Sequence, residues 1–399
     1  MLKLILFALV YTLVFTSYYF LTSFLNIIYP NEAFISFAIF YGVYAISSLF
    51  APLIIDKIPF KIALFLSTFS FLIFIGFSSS YISALMLIGS VVAGAGNSII
   101  WCLQGQFTSA YDGKSIGIFY SIFNANMLFG NILALIVLLV GGGVQIILFI
   151  LIGITAGGCV LSLFINQENK NKENNNNNIN NEEKKNLKSI LEVFKVISKC
   201  YILIPMFIAQ SIGLNITFQI IPKLVLSTNI NVSIFNTVIF LVYGVTSIIF
   251  SWIWGKLFDK SWKLLVIPYC LLEISCCITI FLFSKFIDFP AYYILPGFLR
   301  GLIDSNINVL LNVTLSKYES KDINNLFGIY RFIYSSSYLI TSILIGYIRF
   351  EIILLINTIF CISATIFYFF LKLPKLPEIS IEDQFSRNTF EIRNVNRKE

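Results

Sequence analysis

Ala51-Pro52-Leu53-Ile54-Ile55-Asp56-Lys57-Ile58-Pro59-Phe60-Lys61 and Gly255-Lys256-Leu257-Phe258-Asp259-Lys260-Ser261-Trp262-Lys263 are two short charged stretches, each at the end of a long apolar run. Both read acid, base, spacer, base. Their aspartates stand 203 residues apart in a chain of 399. A pattern repeated at half the chain length marks a chain made of two similar halves. A second echo supports this. Gly117-Ile118-Phe119-Tyr120 in the first half matches Gly328-Ile329-Tyr330-Arg331 in the second.

Working outward, the runs between these stretches are long enough to cross a bilayer. Hydrophobic residues make up 58% of the chain and charged residues 12%, against roughly 25% charged in a soluble domain. Mean hydropathy is +0.86. A spanning helix needs about 20 mainly apolar residues. The first half offers runs at 4–28, 33–55, 62–78, 81–104, 115–139 and 144–165. The second offers 200–225, 233–254, 264–284, 290–314, 325–347 and 351–371. Period-two alternation is absent, which argues against a membrane β-barrel. The fold class expected is an all-α polytopic membrane protein with 12 transmembrane helices in two six-helix bundles, 1–165 and 200–371. The first run follows Lys3 and is too long for the apolar core of a signal peptide, so it reads as the first span.

Two polar stretches remain. Residues 166–199 form a linker with an unbroken asparagine run, Asn174 to Asn178. Leu187, Ile190, Leu191, Phe194 and Ile197 at its far end repeat at helical spacing among lysines. They read as an amphipathic helix on the membrane surface or as an extension of the seventh span. Residues 372–399 are charged and read as a disordered tail.

Charge placement sets the expected topology. With the N-terminus in the cytoplasm, 22 of the 27 lysines and arginines fall in cytoplasmic segments, and only Lys223, Lys285 and Arg349 fall in opposite loops. This is the positive-inside bias, and an even number of spans puts both termini in the cytoplasm. The net charge of +7 is therefore read as topology. No basic stripe interleaves with exposed aromatics, so no nucleic-acid partner is expected. The partners expected are the bilayer and either a small solute or another membrane protein. The chain has no histidine, and its seven cysteines lie in or beside apolar runs. No metal, no cofactor and no enzymatic activity are expected from such a chain. Asn231-Val232-Ser233 is a glycosylation acceptor pattern in a loop facing away from the cytoplasm.

Ionisable side chains inside spans cost roughly 2.5–3.5 kcal/mol each on insertion scales. The second half holds four: Glu273, Arg300, Asp304 and Arg331. Arg300, Asp304, Asn308 and Asn312 recur every fourth residue, so the tenth span carries a polar seam on one face. That seam faces a cavity or a neighbouring helix. Two readings stay open. Asp304 and Arg300 line a cavity and bind a solute or proton, or they form an internal ion pair that fixes packing. Glu273 is expected to pair with a cation, and Arg331 to snorkel to the cytoplasmic surface. In the first half, Asn97, Trp101 and Gln104 share a face of the fourth span, and Tyr120, Asn124 and Asn131 share a face of the fifth. They oppose the seam across a cavity or hydrogen-bond between helices. The cavity candidates are therefore Asp304, Arg300, Asn308, Glu273, Asn97, Trp101, Gln104 and Asn124. Asp56, Lys57, Asp259 and Lys260 are the candidates for gating loops.

The duplicated stretch resembles the signature between the second and third helices of the major facilitator superfamily, a glycine-x-x-x-aspartate-basic pattern. The resemblance implies that Asp56 and Asp259 contact a neighbouring helix end and steady one gating state. The first copy departs from it, with Ala51 and Pro52 around the usual glycine. Within that superfamily, Gly94-Ala95-Gly96-Asn97-Ser98-Ile99-Ile100-Trp101-Cys102-Leu103-Gln104-Gly105-Gln106-Phe107-Thr108 resembles the fourth helix of the Unc-ninety-three-like family. Gly301-Leu302-Ile303-Asp304-Ser305-Asn306-Ile307-Asn308 and Phe327-Gly328-Ile329-Tyr330-Arg331-Phe332-Ile333 resemble its tenth and eleventh. The chain is most similar to the small, loop-poor orphan members, with Phe107 where the family tends to have tyrosine and Tyr334 where it often has glutamine. The resemblance implies two function classes. One is a secondary transporter working by alternating access. The other is a non-transporting adaptor, since some relatives regulate a potassium channel or escort immune receptors.

Overall fold

In a computed structural model, the described residues are 1–29, 32–165, 195–198, 200–226, 232–286, 290–318 and 323–371. The tail 372–399, Asn231 and nearly all of the 166–199 linker, including most of its expected amphipathic helix, lie outside them. Without water to satisfy peptide groups, spans in a bilayer adopt helices. Twelve follow: α1 (Leu2–Ile28), α2 (Ala33–Lys57), α3 (Phe60–Ser78), α4 (Ser83–Thr108), α5 (Gly113–Leu139), α6 (Val144–Ser162), α7 (Tyr201–Leu226), α8 (Val232–Ser261), α9 (Val266–Phe286), α10 (Ile294–Tyr318), α11 (Ile323–Tyr347) and α12 (Phe350–Phe370). Pro59 holds Ile58 extended and stops α2, and Asp112 caps α5 by accepting from the Ser115 N–H at 2.8 Å.

Helices run further than the apolar runs. α4 continues four residues past 104 to Thr108, and α8 extends seven past 254 to Ser261. Hydropathy stops at the first charge, whereas backbone hydrogen bonding does not. The expectation of charged gating loops is corrected in this way. Asp56 and Lys57 lie in the last turn of α2, and Asp259 and Lys260 in the last turn of α8.

The packing repeats. α1 packs on α5 and α6, α2 on α4, α3 on α4 and α6. Adding six to each label gives the pairs of the second half: α7 on α11 and α12, α8 on α10, α9 on α10 and α12. Each half is thus a six-helix bundle of the same plan. Between halves the main seams are α5 against α8 and α2 against α11, which exchange under the same relation. The seams use matching residues. A Cβ on Gly117 would lie 2.7 Å from the Ser251 carbonyl oxygen, and one on Gly328 3.0 Å from that of Ser48. Ser48 and Ser251 are again 203 apart. Only the bare glycine backbone fits so close.

Nine stretches of the described residues are long and apolar enough to cross a membrane, Ile234–Phe286 running through both α8 and α9. α10 and α11 are not among them. Ile46, Phe129, Leu271, Ile278 and Leu355 are exposed on the outer helix faces, while Arg300, Asp304, Asn306, Asn312 and Arg331 are buried. The molecule is apolar outside and locally polar inside, as a protein solvated by lipid requires.

Candidate solute cavity between the halves

At the centre, both halves enclose a cavity of about 50 Å³. The first half supplies mainly rings and amides: Phe15, Tyr18 and Tyr19 from α1, Tyr41 and Tyr44 from α2, Asn97 and Trp101 from α4, and Phe123, Asn124, Asn126 and Met127 from α5. The second supplies Gln210 and Leu214 from α7, Tyr243 from α8, Asp304 and Asn308 from α10, and Arg331 and Tyr334 from α11.

Asp304 is the cavity face of a larger charged cluster. Arg300, one turn earlier on α10, donates from Nη2 to Asp304 Oδ1 at 2.9 Å and from Nη1 to both oxygens of Glu273 at 2.6 and 2.8 Å. Its Nε donates to Thr217 on α7 at 2.7 Å. The Tyr243 hydroxyl donates to Asp304 Oδ2 at 2.6 Å, and Asn357 on α12 donates to Glu273 at 2.5 Å. Five helices, α7, α8, α9, α10 and α12, therefore converge on this charged cluster. All three charged groups are buried, and each charge is offset by an opposite charge and further hydrogen bonds, the condition for tolerating it there. Gly213 makes room: a Cβ there would lie 2.7 Å from Arg300 Nη2. Beside it, α7 loosens into a π-turn over Ile216–Ile220, a distortion frequent at functional sites.

Arg331 overturns one expectation. It does not snorkel. It is only 5% exposed, and its guanidinium carbon lies 4.4 Å from the ring centres of both Trp101 and Tyr330, and 5.8 Å from that of Tyr334. The electron-rich ring faces provide attraction inside the protein that the membrane surface would otherwise have offered. Trp101 belongs to the first half, so this contact spans the cavity.

The eight sequence candidates separate by position. Asp304, Asn308, Asn97, Trp101 and Asn124 line the cavity. Arg300 and Glu273 stand behind Asp304 and do not line it. Gln104 is fully buried beyond the cavity, donating to Thr108 at 3.1 Å. Asn124 is already engaged, donating to Ser251 of α8 at 3.0 Å. Gln210 is not among those eight candidates, yet it lines the cavity. It accepts from the Tyr330 hydroxyl at 2.6 Å and donates to Asn308 at 3.0 Å, bridging α7, α10 and α11. The tyrosines of α1 and α2 were also overlooked. Their signal was available: Phe15, Tyr18 and Tyr19, then Tyr41 and Tyr44, recur at helical spacing.

Contacts between the halves close the cavity at both ends. At the end bearing the duplicated charged stretches, Asp259 accepts from the backbone N–H groups of Gly113 and Lys114, at 3.1 and 2.9 Å. These are among the unpaired donors at the start of α5, where a carboxylate is favoured. The matching Asp56 accepts from Asn324 at the start of α11, at 3.1 Å. Lys317 approaches Asp259 at 3.9 Å, while Lys57 and Lys260 are exposed. Toward the other end, Tyr41 of α2 stacks on Tyr338 of α11 with ring centres 3.5 Å apart. Tyr19, Phe218 and Phe240 form a second stack of three helices, each step 5.3 Å. Tyr41 and Asp56 are fifteen residues apart on one helix, about 22 Å along its axis.

Residues 4–341 match the Major Facilitator Superfamily. The chain belongs to that superfamily. The match covers most of both bundles, and the two-bundle architecture agrees with it. Among solved structures, the superfamily transporter FucP in its outward conformation is similar over 92% of this chain and 99% of its own, with a TM-score of 0.66 at 13% identity. That likeness is one of fold. No curated protein matches the sequence. The protein is thus a multi-pass integral membrane protein with the fold and family of a membrane transporter. Asp56 and Asp259 each meet the start of a helix in the opposite half.

Proposed function

We propose that this protein is a secondary transporter that carries a small solute by alternating access around the central cavity. The observation that carries this reading is that both closures of the cavity are made between the two halves. The contacts of Asp259 (α8) with the start of α5 and of Asp56 (α2) with the start of α11 lie at one end, and the Tyr41–Tyr338 and Tyr19–Phe218 stacks toward the other. A rocking motion of one bundle against the other breaks one set and keeps the other, leaving each bundle's own packing intact. The end with Asp56 and Asp259 is assigned to the cytoplasm, because Lys57, Lys61, Lys114, Lys256, Lys260 and Lys263 cluster there.

The finer likeness to the Unc-ninety-three-like family is supported by its own motif residues. Trp101 of the fourth-helix motif and Arg331 of the eleventh-helix motif meet at the cavity. The transport reading is tested with spin-label pairs placed across α2 and α11 at each end, in the purified protein in nanodiscs. Alternating access requires two populations in which one end widens as the other narrows. A single distance distribution at both ends, under all conditions, removes the transport reading and leaves a static scaffold or adaptor.

A further inference from the structure

Arg331 is the one cation lining the cavity among the described residues, and it has no anionic partner. The rings of Trp101, Tyr330 and Tyr334 contact it at 4.4 to 5.8 Å. Rings attract its positive charge, but they do not accept its in-plane N–H groups as an oxyanion does. Its Nε is buried without a hydrogen-bond partner. Three further polar atoms of cavity-lining residues share that condition: the Tyr44 hydroxyl and the side-chain oxygens of Asn97 and Asn126. Buried polar groups in native proteins normally find partners, so a cluster left open at a cavity points to a ligand.

The other charges nearby are already committed. Glu273, Arg300 and Asp304 neutralise one another in part, and Asp304 also accepts from Tyr243. Their formal sum is one excess negative charge, on the α10 wall. A ligand entering this cavity meets a single unpaired cation on α11 and a net negative cluster on α10.

We infer that Arg331 binds the carboxylate of a small organic monoanion, with Tyr44 as a second donor and the surrounding rings receiving the body of the molecule. The planar guanidinium fork matches a carboxylate in two parallel bonds. One cation balances one charge. A phosphate dianion would bring two negative charges to a site with one positive group and a negative wall opposite. The ring lining suits an apolar or aromatic body better than a polyhydroxylated one. This inference names the substrate class and rests on the transport reading above.

The test is equilibrium binding to the full chain in nanodiscs, using radiolabelled benzoate, butyrate and lactate, with benzamide and phenylphosphonate as competitors. At least one carboxylate should bind saturably, with benzamide and phenylphosphonate competing weakly. Arg331→Gln should weaken it about 10- to 100-fold, the range for a lost charge-assisted hydrogen bond. Tyr44→Phe should weaken it several-fold. Arg331→Lys keeps the charge, guards against misfolding as the cause, and should bind between the two. No saturable binding by any of the three acids, equal binding by Arg331→Gln, or equal competition by benzamide overturns the inference. The spin-label distances are read on the same samples. Moving ends without carboxylate binding remove this site and keep transport. Binding with unmoved ends keeps the site and removes transport.

Discussion

The fourth and tenth helices hold matching places in the two halves and do different chemistry with them. Gly94 on α4 packs on the Phe40 carbonyl of α2, where a Cβ would come within 2.5 Å, and Gly301 on α10 packs on the Tyr243 carbonyl of α8, within 2.6 Å. Gly301 follows Gly94 by 207 residues, and the same step leads from Asn97 to Asp304, both on the cavity. It also leads from Ala93 to Arg300. Backbone contacts are thus conserved between the halves where helices touch, while the side chains facing inward have diverged. Geometry is shared because both halves must pack and rock alike. Charge is concentrated on one side, where an arginine, two carboxylates and the hydroxyl and amide groups around them share the cost of burial.

The largest effect should come from breaking the charged side. Arg300→Leu leaves Glu273 and Asp304 buried without their cation and should cost about 3–5 kcal/mol of stability, read as a lowered melting temperature in detergent. Adding Glu273→Gln and Asp304→Asn should recover most of it. An unchanged melting temperature in the single variant would show that the cluster is not a closed ion pair. The packing side should behave symmetrically. Gly94→Val and Gly301→Val each force helices apart at a backbone contact and should each cost about 1–3 kcal/mol. A large difference between them would break the equivalence drawn here. At the closed end, Asp259→Asn removes a charge from a helix start, worth about 0.3–1 kcal/mol and up to ~2 where partly buried. It should shift the spin-label populations toward opening at that end. Asp56→Asn should do so least, because its partner is one side-chain amide rather than two backbone donors.

Much of this was legible in the sequence because membranes make exceptions conspicuous. Four ionisable residues in apolar runs stand out, and the i, i+4 step from Arg300 to Asp304 located their pairing. The duplicated aspartates announced the two-half plan. What failed was destination. Arg331 sits two turns into its span, near enough to the surface for a long side chain to escape, and only the fold shows Trp101 from α4 waiting beside it. Gln104 shares a helical face with Asn97, yet lies two turns further along, where the halves have already closed. A Cβ on its neighbour Gly105 would meet the ring of Phe327. Helical periodicity assigns a face, and it does not say where along that face a cavity ends. Glu273 could be expected to find a cation, but its choice of Arg300 over Arg331 depends on how α9 sits beside α10.

The contact of Asp259 with the start of α5 also bears on how this protein tolerates mutation. Its donors are main-chain groups, present whatever side chain follows them. At position 114 any residue but proline, which lacks the N–H, keeps the donor. Position 113 is narrower, since a Cβ there would come within 2.6 Å of the aspartate itself. Sequence drift along the start of α5 can therefore be wide at one residue and narrower at its neighbour, where the carboxyl end of Asp259 would have to shift, although both donate to the same carboxylate.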